Sequence, residues 1–128
     1  MKTRAHVKWL LGVMSEIPLD ADHHAVAESL ITELEDDGDD EHYQVAAGYD
    51  QWSLTIGTSG MAVLDDLSEI YSESGIAPQS LYLWLPSRAA GVSLLEAMLR
   101  GEMETVRRLG WVTEDQLPPQ TVQVFRSG

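Results

Sequence analysis

The sequence predicts an α+β fold, namely a ferredoxin-like βαββαβ sandwich with a C-terminal helix and strand extension. Stretches with apolar residues at helical spacing follow stretches in which apolar and polar residues alternate, and this succession gives the order of elements. The length of 128 residues fits a single domain, 1–128. A hydrophobic content of 44% is ordinary for a globular protein, so we expect one packed core.

The first strand and the first helix are predicted before residue 37. Residues 6–14 fit a helical stripe as well as a strand, and we favour the strand because alternate residues are apolar. Asp20 or Asp22 can cap a helix that runs to about Asp36. Its apolar stripe consists of Val26, Ala27, Leu30, Ile31 and Leu34.

A β-hairpin is predicted in the middle of the chain. Residues 43–47 and 52–56 each show the alternation of side chains that is typical of a half-buried strand. The four residues between them, 48–51, begin with glycine and contain an aspartate, as turns do. We therefore expect these two strands to be neighbours in the sheet.

A second crossover helix is predicted to begin at Thr58 or Ser59 and to end at Gly75. Its outward positions carry carboxylates with no lysine or arginine four residues away to pair with them. In a ferredoxin-like sandwich both crossover helices cover the same face of the sheet. Their outer surfaces would then form one acidic slab. The apolar residues of this helix are Val63, Leu64, Leu67, Ile70 and Tyr71, and the acidic ones are Asp65, Asp66, Glu69 and Glu73.

The C-terminal third is predicted to add two strands and a helix. Residues 81–85 are apolar on both faces, which indicates a strand that is covered on both sides. A helix starting at Ser87 would cover the second face, and Gly101 would break it before a short turn. Residues 121–126 alternate again and are predicted to form the last strand.

The charge distribution is the most unusual property of the sequence. No lysine or arginine lies between Trp9 and Ser87, whereas sixteen carboxylates do, and the formal net charge is −13. A field of this sign repels nucleic acid and anionic lipid and increases the encounter rate with a cationic protein. We therefore expect a basic protein partner, no direct contact with nucleic acid and no membrane association.

The densest acidic segment is residues 33–41, with seven acids in nine residues, and it is predicted to be a solvated loop. A calcium loop of the EF-hand type does not fit, because Gln44 falls where a bidentate glutamate belongs. Adjacent His23 and His24 cannot bind one metal ion in the i, i+4 manner. We expect no metal site and no cofactor.

No catalytic motif was found. The sequence has no HExxH, no phosphate-binding glycine loop, no GxSxG turn and no cysteine nucleophile. Paired carboxylates are abundant, but those near strand or helix ends are predicted on polar surfaces, where a raised pKa for acid catalysis does not arise. We expect no catalytic residue and a protein that is not an enzyme.

These observations favour an acidic binding protein that docks onto a basic surface and blocks it. In size, charge and lack of catalytic motifs the chain resembles the small cytoplasmic bacterial immunity proteins, which act as antitoxins against nuclease or deaminase toxins. A nucleic-acid mimic directed at another DNA-binding protein predicts nearly the same sequence. The predicted partner-binding residues are Glu33, Glu35, Asp36, Asp37, Asp39, Asp40, Glu41, Tyr49, Asp50, Asp65, Asp66, Glu69 and Glu73.

The main alternative is a ferredoxin-like regulatory module that binds a small ligand or dimerises through its sheet. Such modules would be expected to carry a glycine-rich loop between the first strand and helix, and residues 15–20 contain no glycine.

The basic, apolar N-terminal segment is interrupted by Lys8 and lacks a small-residue cleavage signal. We therefore predict a cytoplasmic location.

Overall fold

The computed structural model describes residues 5–8, 14–18, 20–37, 44–57, 59–66 and 80–119. Within these ranges the protein has an α+β fold, with a six-stranded antiparallel sheet packed against helices. The strands are β1 (Ala5–Lys8), β2 (Met14–Ile17), β3 (Gln44–Tyr49), β4 (Trp52–Gly57), β5 (Met61–Asp66) and β6 (Leu81–Trp84). The helices are α1 (His23–Asp37), α2 (Arg88–Leu99) and α3 (Met103–Arg107), and a 3-10 turn follows at Glu114–Gln116.

The order of strands in the sheet is β2-β1-β3-β4-β5-β6. β1 and β2 pair as antiparallel neighbours, and β3 to β6 follow one another as a meander. α1 lies between β2 and β3 in the chain, so it carries the chain past β1 before β3 pairs with the free side of that strand. The whole described sheet is therefore antiparallel.

Both long helices cover the same face of the sheet. α1 and α2 pack against each other, and both contact β3. In β3 the side chains that face the helices, Val45 and Ala47, are buried, whereas Gln44 on the opposite face is exposed. The largest fully buried side chains come from both layers: Leu30, Ile31 and Leu34 of α1, Leu95, Met98 and Leu99 of α2, and Val7, Val45, Leu54, Ile56 and Leu64 of the strands.

The predicted ferredoxin-like order of elements is wrong, because part of the predicted second crossover helix is a strand. Residues 61–66 of that predicted helix form β5, which pairs with β4 on one side and β6 on the other. Gly57 and Gly60 make a tight turn, with the Gly60 amide donating to the Gly57 carbonyl at 3.0 Å. Sheet pairing on both sides thus overrides a helical spacing that continues into residues 67–75, which lie outside the described residues.

Two further predictions are corrected. The single strand at residues 6–14 is wrong, because β1 ends at Lys8 and β2 begins at Met14, and the two strands pair antiparallel. The helix after Ser87 does not cover the second face of the sheet; α2 lies beside α1 on the first face, where its buried stripe completes the same core. The predicted strand 121–126 lies outside the described residues.

Other elements are confirmed. α1 starts after Asp22, whose Oδ1 accepts a hydrogen bond from the Ala25 amide at 3.0 Å. α2 starts after Ser87, whose hydroxyl accepts from the Ala90 amide at 3.1 Å. The hairpin β3–β4 is present, although its turn is only Asp50 and Gln51. The strand predicted at 81–85 is observed as β6, the edge strand of the described sheet, but the predicted cover on both sides is wrong, because its residues are only half-buried on both faces.

Candidate acidic interface

The C-terminal part of α1 is an acidic segment of the predicted slab that is found among the described residues. Glu33, Glu35, Asp36 and Asp37 occupy its last turns, and the last turn contains no basic residue. The exposed carbonyl groups make the C-terminus of a helix partly negative, so carboxylates there raise the free energy of the folded state. The predicted loop 33–41 is therefore helical as far as Asp37, and residues 38–43 lie outside the described residues.

One arginine neutralises part of this acidic end. The Arg88 guanidinium donates from Nε to Glu35 at 2.7 Å, from Nη1 to Glu28 at 2.8 Å and from Nη2 to the Thr32 hydroxyl at 3.2 Å. The hydrogen bonds to Glu35, which contributes most, and to Glu28 raise the pKa of Arg88 above its ordinary value. Arg88 at the start of α2 thus lies beside residues 28–35 of α1, and Glu96 near the end of α2 lies 3.6 Å from His24 at the start of α1, so the two helices run antiparallel.

The hairpin tip supplies a second pair of predicted interface residues, Tyr49 and Asp50. Tyr49 is half-buried and packs against the core. Its ring lies so close to Gly101 that a methyl group there would come within 2.3 Å of it. Asp50 is exposed and adopts a left-handed backbone with φ of 54°, which aspartate tolerates better than most residues.

Asp65 and Asp66 occupy the end of β5 instead of a helix surface. Successive strand residues point to opposite faces, so these two carboxylates cannot form one patch. Asp65 accepts a hydrogen bond from the Ser80 hydroxyl. Asp66 pairs with Trp52 across the sheet, and Trp52 pairs with Tyr49, so Asp66 lies at the hairpin end.

The predicted interface is therefore divided between two ends of the sheet. Arg88 and the end of α1 lie near the start of β3, whereas the hairpin tip lies at its other end, about 17 Å away for a strand of six residues. A continuous acidic slab is not formed by the described residues. The predicted residues Asp39, Asp40, Glu41, Glu69 and Glu73 lie outside the described residues.

The histidines are dispersed. His24 lies 3.5 Å from Glu28 and 3.6 Å from a carboxylate oxygen of Glu96, at the start of α1. His6 lies on the sheet face opposite the helices, with its imidazole directly over Gly48. Across the part of the chain that the structure describes, no group of three or more metal-binding side chains is found.

The C-terminal helices hold two features that sequence reasoning missed. Their four arginines are all engaged: Arg88 as above, Arg100 with Glu96 at 2.9 Å, Arg108 with Glu104, and Arg107 over the Trp52 ring at 5.3 Å. The spacing of Glu96 to Arg100 and Glu104 to Arg108 could have predicted two of these contacts. The other feature is an apolar groove between β6, α2 and α3, which no local pattern predicts.

Comparisons with protein-family models, curated proteins and solved structures gave no match to this chain. Among the described helices, none combines the length and apolar character required to cross a lipid bilayer. The class that fold and site define is thus an α+β protein with an acidic helix end, and its function must be argued from that end.

Proposed function

We propose that this chain is a non-enzymatic binding protein that docks onto a cationic protein surface through the acidic end of α1 and blocks it. The observation that carries the proposal is the run of carboxylates in the last turns of α1, where the helix dipole disfavours them. Binding of a cationic partner would offset this unfavourable electrostatic energy. The same residues are thus unfavourable in the free protein and favourable in a complex.

The arrangement of the arginines supports a binding surface of negative charge. The described arginines lie after residue 87 and are held by carboxylates or an aromatic ring of the same chain. They do not extend toward the acidic end, apart from Arg88, which lies between Glu28 and Glu35. The partner would therefore meet a negative surface whose local cations are already paired.

The class of partner follows from the charge. Proteins that act on nucleic acids carry cationic clefts, and an acidic protein can occupy such a cleft in place of the phosphate backbone. The proposal is accordingly an immunity protein, or antitoxin, that blocks a bacterial nuclease or deaminase toxin from within the cytoplasm. Long-range attraction would make association fast and sensitive to salt.

The test compares two variants with the same change in net charge. In the first, Asp36, Asp37, Asp39 and Asp40 are changed to lysine. In the control, four acids at exposed positions elsewhere are changed to lysine: Glu16, Asp20, Glu102 and Glu114. Wild-type protein and both variants are used to capture partners from the source cell at low salt, and association rates with the captured protein are measured by stopped flow.

We expect the first variant to lose the partner, or to associate with it much more slowly and with little dependence on salt, while the control keeps most of the rate. The captured protein should be basic, and its action on nucleic acid should be inhibited by the wild type. Equal losses in the two variants would mean that net charge alone matters. Unchanged binding by the first variant would place the interface elsewhere.

A further inference from the structure

An apolar groove lies on the side of α2 that faces away from α1, where α2, the end of β6 and α3 meet. Its floor includes Leu85, Leu94 and Val106, which keep at most 4% of their surface exposed. Leu109 is 40% exposed and also lines the groove. The volume is about 330 Å³, at the small end of the range for pockets that hold small molecules.

The lining decides the chemistry of an occupant. Among the described residues that line the groove, none is titratable, and the only polar side chains are Ser93 and Thr105, both exposed. A charged group inside would lose its hydration without gaining a partner. An uncharged hydrocarbon body would instead replace water against the exposed apolar part of the lining, such as Pro86 and Leu109. A hydroxyl or carbonyl group could reach one of the two hydroxyls.

The size of the groove indicates that its occupant is a small molecule and not a protein partner. A stable interface between two protein chains buries about 1,200 Å² or more in total. Here the floor residues are already almost completely covered by their own chain, and Leu109 is the one large apolar residue that is strongly exposed among the described residues. The accessible apolar surface is thus too small for a stable protein interface and suits a small ligand.

We infer that this groove binds an uncharged apolar small molecule, with a ring or branched hydrocarbon body against the accessible lining residues Leu83, Pro86 and Leu109. The inference does not rest on the proposed function. The α2 residues that line the groove are Ala90, Ser93, Leu94 and Ala97, whereas Arg88 and Glu96 of the same helix contact α1. Helical geometry places these two sets on opposite sides of α2.

The test is a fluorescence titration with N-phenyl-1-naphthylamine, a neutral apolar probe, on the full chain and on two variants. Ser93→Phe places a ring in the mouth of the groove from an exposed position, and Ala89→Phe adds the same ring at an exposed position outside it. We expect saturable binding to the wild type, a Kd raised at least about tenfold by Ser93→Phe and changed less than about twofold by Ala89→Phe.

Methyl NMR shifts on adding the probe should be confined to groove residues such as Leu94, Val106 and Leu109. If Ser93→Phe lowers the melting temperature markedly, Thr105→Phe replaces it, because Thr105 lines the groove from α3. Absence of saturable binding to the wild type would overturn the inference, as would equal affinities for the two variants. Dimerisation that Ser93→Phe abolishes, without probe binding, would assign the groove to a second copy of the chain and also overturn it.

Discussion

α1 and α2 lie side by side on one face of the sheet and begin alike, but they end differently. Each starts with a capping side chain, Asp22 or Ser87, and each contributes three of the largest fully buried side chains of the core. α2, which ends at Leu99, is followed by a basic cap residue, Arg100, which pairs with Glu96 one turn earlier. α1 ends in carboxylates and has no basic residue in its last turn.

The difference shows that the charges at the end of α2, unlike those at the end of α1, favour the stability of the folded protein. A glutamate four residues before an arginine, with the arginine at the C-terminus, satisfies both side-chain pairing and the helix dipole. The end of α1 has four acids and no basic residue in its last turn, and Arg88 of α2 pairs with Glu35 from outside the helix. Since the two helices share one core, the contrast lies at their ends and not in their packing.

The largest effects should be equal in the two helices. Leu30→Ala in α1 and Leu95→Ala in α2 each remove a fully buried side chain and should lower the free energy of unfolding by about 3 kcal/mol, because each leaves a cavity. Urea denaturation measures both values. If Leu30→Ala cost less than half as much as Leu95→Ala, α1 would be the weaker packing element, and the contrast could no longer be restricted to the helix ends.

The end of α2 should depend on one glycine. Gly101 has a φ of 73°, and an added methyl group would meet the Tyr49 ring, so Gly101→Ala should cost about 2 kcal/mol. Gly110→Ala is the matched control, because nothing lies within 4 Å of its added carbon. Thermal melts of both variants make the comparison. An equal loss of stability in the two would show that the ordered end of α2 does not rely on this contact.

Arg88 connects the two helices and should contribute about 1 kcal/mol or less, because it and its two glutamate partners are each at least 35% exposed. Arg88→Gln should show this loss, whereas Arg108→Gln, in a pair more than 75% exposed, should show none. Hydrogen bonding raises the pKa of Arg88. A raised pKa gives stability that is present below the unfolded value and lost only above it, so the loss should be constant across neutral and mildly alkaline pH.

The smallest effects should have opposite signs at the two helix ends. Asp36→Asn and Asp37→Asn should each stabilise the free protein by about 0.3–1 kcal/mol, because a charge opposed to the helix dipole is removed. Arg100→Gln should destabilise it by about 0.3–0.5 kcal/mol. Chemical denaturation at low salt resolves these changes. Destabilisation by the asparagine variants would mean that the acids are held by favourable contacts, which would weaken the proposed function.

The parts of the fold that local chemistry determines were predictable. Asp22 and Ser87 as helix caps, the hairpin around Asp50 and the break at Gly101 follow from residue type and spacing. Residues 61–66 were not, because Val63 and Leu64 fit a helical stripe, and only pairing with β4 and β6 decides for a strand. Strand order likewise depends on long-range pairing that no window of sequence contains.

The candidate site was predictable in charge and not in shape. The concentration of acids before residue 42 is visible in the sequence, and α1 carries part of it. Its division into two ends required the register of β3 with β4. The three hydrogen bonds of Arg88 join residues more than 50 positions apart, and no local spacing in the sequence signals them.

The pairing of β1 with β3, which is distant in sequence, has a consequence for the order of folding. β3, β4 and β5 are joined by short turns, so their pairings form between near neighbours in sequence, whereas β1 pairs with β3 across roughly forty residues. Closing that long loop carries a larger entropic cost. The meander should therefore form in the folding transition state and β1 should join afterwards. Truncation of Val7 would then mainly accelerate unfolding, and truncation of Leu54 would slow folding.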